Sequence, residues 1–275
     1  MLTQTPTEVE PPVPAENLDE ESASVRWKYR VGTILTGVVL FALWEALPRL
    51  GLVHPIILPP FTDVVRALIE LVQTPFFAGH FWITLNEVAW GFVVGTILGL
   101  AIGVALGVWV GFRRLTYPFV VTFQAVPKIV LAPLFVAWFG YGQISKIVMA
   151  IAISFFPVLI NTMVGIENIP NDMVRLMSSL RSSRWQIFRK VQLPNAAPLI
   201  FAGIKTALTF ALIGAIVGEF VGASEGLGFL LDTYNFQLKI DRVFSVIIIL
   251  SGIGAIFYFA LEWLDKKLIF WRHEG

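Results

Sequence analysis

The sequence predicts an all-α protein that crosses a membrane about six times. Three observations carry that prediction. Of the 275 residues, 56% are hydrophobic and only 14% are charged, whereas about a quarter of a soluble domain is charged. Several stretches reach the roughly 20 apolar residues that a helix needs to cross a bilayer. One of the polar connections between them, residues 171–194, is basic and amphipathic rather than merely polar.

Residues 1–25 hold Pro6, Pro11, Pro12 and Pro14, six acidic residues and no basic one. Such a composition cannot bury a core, so an acidic, disordered tail is expected. It lacks the basic region and cleavage site of a signal peptide. Residues 26–275 are expected to form one transmembrane domain. Arg26, Lys28 and Arg30 precede a first span over residues 31–50. Glu45 lies inside its far end and reads as an interfacial or dimer-contact carboxylate rather than a transport residue. Leu58-Pro59-Pro60-Phe61-Thr62-Asp63 reads as a turn. Thr62 or Asp63 would cap an amphipathic helix carrying Val64, Leu68, Leu71 and Val72, placed on the outer surface.

The second span, residues 84–110, carries a glycine at every fourth position from Gly91 to Gly111. A stripe of small residues lets another helix approach closely. It is read as an intramolecular packing face rather than a homodimer seam. The third span, residues 117–139, is interrupted by Pro127 and Pro133 and contains Lys128. Counting about 1.5 Å per residue from Tyr117 puts Lys128 some 16 Å deep, near mid-bilayer. A lysine there faces a cavity or a partner. Proline removes backbone donors, and irregular backbone at that depth is tolerated where it lines water or is buried in protein. Lys128 either lines a translocation path that favours anions or pairs with an acid, and Glu219 in the fifth span is the candidate. The fourth span covers residues 145–166 and the fifth 198–221. Ala223-Ser224-Glu225-Gly226-Leu227-Gly228 is a glycine-rich outer loop, and the sixth span covers 243–264. With both termini in the cytoplasm, thirteen Lys and Arg fall on that side and five outside. That imbalance sets the orientation and puts residues 171–194 in the cytoplasm.

Within residues 171–194, Met173, Leu176, Met177 and Leu180 recur at helical spacing. Ser183 followed by Gln186 fits a capping box that would start a second short helix. A helix, a turn and a helix are expected, closed by Leu193-Pro194. Two readings compete. The segment lies on anionic lipid, or it docks a soluble partner, with Ile187 and Phe188 as apolar anchors and a basic rim.

Chemistry is constrained by what is missing. The sequence has no His-Glu-x-x-His, no Gly-x-Ser-x-Gly and no carboxylate pair inside a span, so no catalytic residues are assigned. His54, His80 and His273 offer no metal-ligand spacing, and no metal is expected. No phosphate-binding Gly-x-x-x-x-Gly-Lys-Ser/Thr occurs, so the chain cannot hydrolyse ATP by that route. A net charge of +1 gives no argument for nucleic acid. An ATP-driven importer subunit, a secondary transporter and an intramembrane enzyme are the function classes to weigh. The secondary transporter would show repeats and intramembrane acids, and the enzyme would need buried catalytic side chains.

Val191-Gln192-Leu193-Pro194 supplies the end of a Gly, nine residues, Ile/Val-x-Leu-Pro pattern, and Arg184-Trp185-Gln186-Ile187-Phe188 precedes it. The segment resembles the EAA loop of ABC importer permease subunits, of the nitrate, sulfonate and taurine type. Ala125 to Leu134 and the Ala223 to Gly228 loop resemble the same family. Two departures stand out. Arg175-Leu176-Met177 replaces Glu-Ala-Ala, and Arg181 occupies the glycine position, where a left-handed residue costs about 1 kcal/mol with a side chain. The resemblance implies ATPase coupling through Arg184, Trp185, Ile187, Phe188, Val191, Leu193 and Pro194. It implies a homodimer in the inner membrane, two ATP-binding subunits that carry the ATP and Mg, and an extracytoplasmic substrate-binding protein. No cofactor is then expected on this chain. The path would involve Lys128, Pro127 and Glu219. The substrate would be a small anion such as nitrate, sulfonate, taurine or bicarbonate, with a pyrimidine or flavin-like vitamin precursor as the alternative.

Overall fold

The computed structural model describes residues 15–269. The expected acidic tail lies outside them up to residue 14. Residues 15–25 are the first turns of α1 (Ala15–Arg49). The remaining helices are α2 (Phe61–Val72), α3 (Phe77–Val108), α4 (Val110–Ala125), α5 (Ala132–Phe139), α6 (Gln143–Glu167), α7 (Asn171–Ser179), α8 (Arg184–Ile187), α9 (Leu193–Gly222), α10 (Leu227–Phe236) and α11 (Ile240–Leu268). Among the described residues, five helical stretches are long and apolar enough to span, and α4 with the stretch through α5 forms a sixth, bent pair.

Contacts divide the chain into two units, residues 1–63 and 64–275. In the first, Trp44 Nε1 donates to the Pro59 carbonyl at 3.0 Å. Glu45 accepts from Arg49, from the Thr62 amide at 3.0 Å and from Thr62 Oγ1 at 2.8 Å. A carboxylate from α1 therefore caps the α2 start at the Thr62 amide. A carboxylate there also complements the helix dipole.

In the second unit α6 is held between α3 and α9. The glycine stripe of α3 faces α6. A Cβ at Gly91 would overlap Ala150, one at Gly99 would come within 2.7 Å of Val158 and one at Gly107 within 2.7 Å of Ile166. Real side chains do not approach so closely, so only glycine permits this spacing. Gly111 meets nothing within 4 Å. From the other side, a Cβ at Gly214 of α9 would sit 2.7 Å from the Ala150 Cα. The stripe is an internal packing face, as expected. A second core gathers Leu71, Leu227, Leu230, Val246 and Leu250. There Ser245 Oγ donates to the Val64 carbonyl at 2.9 Å, tying α11 to α2. Helix α10 was not expected from the sequence. It follows Gly226, whose φ of 113° suits glycine.

Candidate functional site

Residues 171–194 fold as helix, turn and helix, but the second helix does not stop. Helix α7 ends in a Schellman turn, with the Ser182 amide donating to Met177 O and the Arg181 amide to Ser178 O, each at 3.0 Å. Arg181 takes φ 55°. The left-handed turn thus survives without the family's glycine. The expected capping box is present: the Gln186 amide donates to Ser183 Oγ at 3.2 Å, and the Ser183 amide to Gln186 Oε1 at 2.7 Å. Leu193-Pro194 does not close the segment. The chain passes through a π-helical turn, Phe188–Gln192, and runs on into α9. That wider turn removes the usual conflict between a proline ring and the carbonyl four residues earlier.

The faces of the segment also differ from expectation. Phe188 turns inward against Ile166, Ala196 and Ile200, and Ile187 and Val191 are half-buried. The apolar side chains left uncovered are Met173, Leu176 at 62% exposure, Leu180 and Trp185 at 65%. Trp185 stacks on Phe188 at 5.6 Å between centroids. Arg184, Leu193 and the basic residues Arg175, Arg181, Arg189 and Lys190 are exposed around them. Phe188 therefore anchors the segment to its own span, and the outward apolar surface belongs to α7 and Trp185.

The third span turns through 81° between α4 and the stretch that begins at Lys128. Pro127, extended at φ −66° and ψ 92°, makes the break. The straight count from Tyr117 therefore does not apply, and Lys128 stands at the bend itself. Its Nζ donates to the Gln124 carbonyl at 3.0 Å and lies 4.4 Å from the centre of the Phe156 ring. It borders an open pocket of about 350 Å³ shared with Gln124, Asn161, Thr206 and Phe210. Thr206 and Thr209 on α9 are uncovered by the chain. A second pocket of about 450 Å³ adjoins it at Thr206 and Phe210, and Lys205 and Asp265 line it.

Lys128 and Glu219 do not pair, which corrects the salt-bridge expectation. Glu219 is 1% exposed at the far end of α9. It accepts from Thr84 Oγ1 at 2.6 Å and from the Gly228 amide. Thr84 Oγ1 in turn receives the Leu227 amide at 2.7 Å, and His80 Nδ1 receives the Gly226 amide at 2.9 Å. Glu219 thus caps the start of α10. Glu87, 2% exposed on α3, is its buried carboxyl neighbour, and Glu87 Oε2 has no hydrogen-bond partner among the described residues. A carboxyl pair is therefore built between spans, where none exists within one. Lys146 is 1% exposed and donates to Tyr141 O at 2.5 Å and Gly222 O at 2.6 Å. Glu87 and Lys146 escaped sequence reasoning. A signal for Glu87 existed: it lies four residues before Gly91, on the packing stripe itself.

Residues 91–270 match the family described as binding-protein-dependent transport system inner membrane component. A probable ABC transporter permease protein of Haemophilus influenzae is 34% identical over 86% of this chain and 95% of its own length. A putative aliphatic sulfonates transport permease of Bacillus subtilis is 32% identical over 96% of this chain and 95% of its own. Further relatives are named for formylaminopyrimidine, riboflavin, taurine and nitrate transport. The inward-facing MetNI methionine ABC transporter superposes with a TM-score of 0.60 at 22% identity, covering 68% of this chain and 93% of that one, which is a likeness of fold. The chain belongs to the binding-protein-dependent inner membrane components, and is a multi-pass permease subunit of an ABC importer whose ATP hydrolysis lies in a partner.

Proposed function

We propose that two copies of this chain enclose a path for a small anion, and that the wall of Lys128, Asn161 and Thr206 lines it. The carrying observation is that wall. Thr206 lies about 20 Å along the 30-residue α9, near its middle. Polar side chains left uncovered at that depth suit water or a second copy, not hydrocarbon. Lys128 supplies positive charge there, and Pro127 gives the backbone its bend. Glu219 is omitted from this wall. Relatives named for sulfonate, taurine and nitrate support an anion. Those named for formylaminopyrimidine and riboflavin define the alternative.

On this reading the membrane is the cell's inner membrane and both termini are cytoplasmic. Residues 171–194 then meet one of two ATPase subunits, which hold the ATP and Mg, and an extracytoplasmic binding protein delivers the substrate. Arg184 and Trp185 would touch the ATPase, while Ile187, Phe188, Val191, Leu193 and Pro194 hold the segment in place. In vesicles containing the full complex, Lys128→Met should cut anion uptake about tenfold or more, and Lys128→Arg should retain part of it. Assembly should be unchanged. Equal uptake by wild type and Lys128→Met, at matched amounts of complex, would overturn the reading.

A further inference from the structure

Two ammonium groups face the uncovered wall, not one. Lys205 precedes Thr206 on α9, and its Nζ lies 2.6 Å from Asp265 Oδ2 near the end of α11. Both side chains are mostly covered by protein. The pair is nevertheless not sealed. It lines the pocket that meets the Lys128 pocket at Thr206 and Phe210. The two lysines are held differently. Lys128 has a carbonyl and an aromatic ring as partners, whereas Lys205 has a carboxylate.

That difference has a chemical consequence. An anion leaving Lys128 must cross a region of low dielectric, where an unpaired charge is costly. At Lys205 it meets an ammonium already balanced by one negative charge. Replacing Asp265 by the anion keeps the ammonium paired, and the carboxylate freed at the pocket edge turns to water. When the anion departs, Asp265 closes on Lys205 again. Charge is conserved at every stage. Resting on the path reading above, we propose that Lys205 is a second specificity-determining cation of the path, and that Asp265 competes with the anion for it. The substrate class that fits is a small anion carrying an acceptor oxygen, such as nitrate or a sulfonate. The pair also ties α9 to α11 across 60 positions of sequence, so anion arrival would loosen one helix contact as it fills the site.

The test uses the complex reconstituted in vesicles with its ATPase and binding protein, and follows labelled nitrate, an aliphatic sulfonate and uncharged riboflavin. Lys205→Met with Asp265→Leu replaces the ion pair by apolar groups, an exchange that buried pairs often tolerate. It should assemble and melt as wild type does, and take up anion about tenfold more slowly. Asp265→Asn alone should lower both KM and kcat, because the anion then meets no competitor and leaves slowly. A purely structural clamp predicts wild-type uptake for the double variant, and an unchanged KM for Asp265→Asn. Either result overturns the proposal. Lys128→Met, run in parallel, separates the two levels. Loss there with wild-type uptake by the double variant removes only the second station. Wild-type uptake in both, or uptake of riboflavin and neither anion, overturns the path reading with it.

Discussion

The far end of α9 and its middle each gather charged residues inside the spans, and they treat them in opposite ways. At the far end, Glu219, Glu87 and Lys146 are at most 2% exposed; Glu219 has Thr84 and the Gly228 amide as partners, Lys146 the carbonyls of Tyr141 and Gly222, and Glu87 keeps one buried oxygen unpaired. At the middle, Lys128 and Lys205 border open pockets beside uncovered threonines. The difference teaches that an ionisable residue at membrane depth marks function only when the chain leaves it something to do. Glu219 on α9 caps α10 and ties it to α3 through Thr84. Lys128 has a carbonyl and an aromatic ring as partners but borders an open pocket. The segment 171–194 repeats the contrast on a smaller scale, since Phe188 is spent on its own span while Leu176 and Trp185 are left uncovered.

Breaking the closed end should have the largest effect. Glu219→Ala strands the Gly228 amide and the Thr84 hydroxyl in a dry interface, at a cost of about 1–3 kcal/mol for each group left unpaired. The expected outcome is a marked fall in melting temperature or loss of monodisperse protein in detergent. A variant as stable as wild type would mean that the far end is not a structural lock. The two faces of residues 171–194 should then separate. Phe188→Ala empties a packed site and should cost about 3 kcal/mol in stability. Leu176→Asp should leave the stability within about 0.5 kcal/mol of wild type and yet release the ATPase on purification. ATPase retained by Leu176→Asp but lost from a stable Phe188→Ala would reverse the assignment of faces. The smallest effect belongs to the turn between them. Arg181→Gly relieves a left-handed arginine and should gain about 0.5–1 kcal/mol; a loss of stability would mean that the guanidinium makes a contact worth more than the strain.

Legibility followed the length scale of each feature. The spans, the capping box and the glycine stripe are set by residues within a few turns of one another, so spacing alone reads them. The bend at Pro127 was legible as a break but not as an angle, because a proline removes one hydrogen bond and leaves the direction to the packing around it. The continuation past Leu193-Pro194 was hidden because a π turn leaves no spacing signature. The partners of Glu219 come from positions 84 and 228, on two other helices, and no local pattern specifies such a meeting. The same holds for Lys205 and Asp265. Family resemblance picked out the segment but could not say which of its apolar side chains turn inward, since that depends on the π turn.

The central claim is that the wall at Thr206 faces water and prefers negative charge. The chain has no cysteine, so Thr206→Cys provides a single thiol. Its labelling in the assembled complex, by water-soluble thiol reagents of opposite charge, tests the claim most directly. The account predicts reaction, faster with the anionic reagent than with the cationic one, and slowed by transported anion. Reaction only with a lipid-soluble reagent, or a preference for the cationic one, would contradict it.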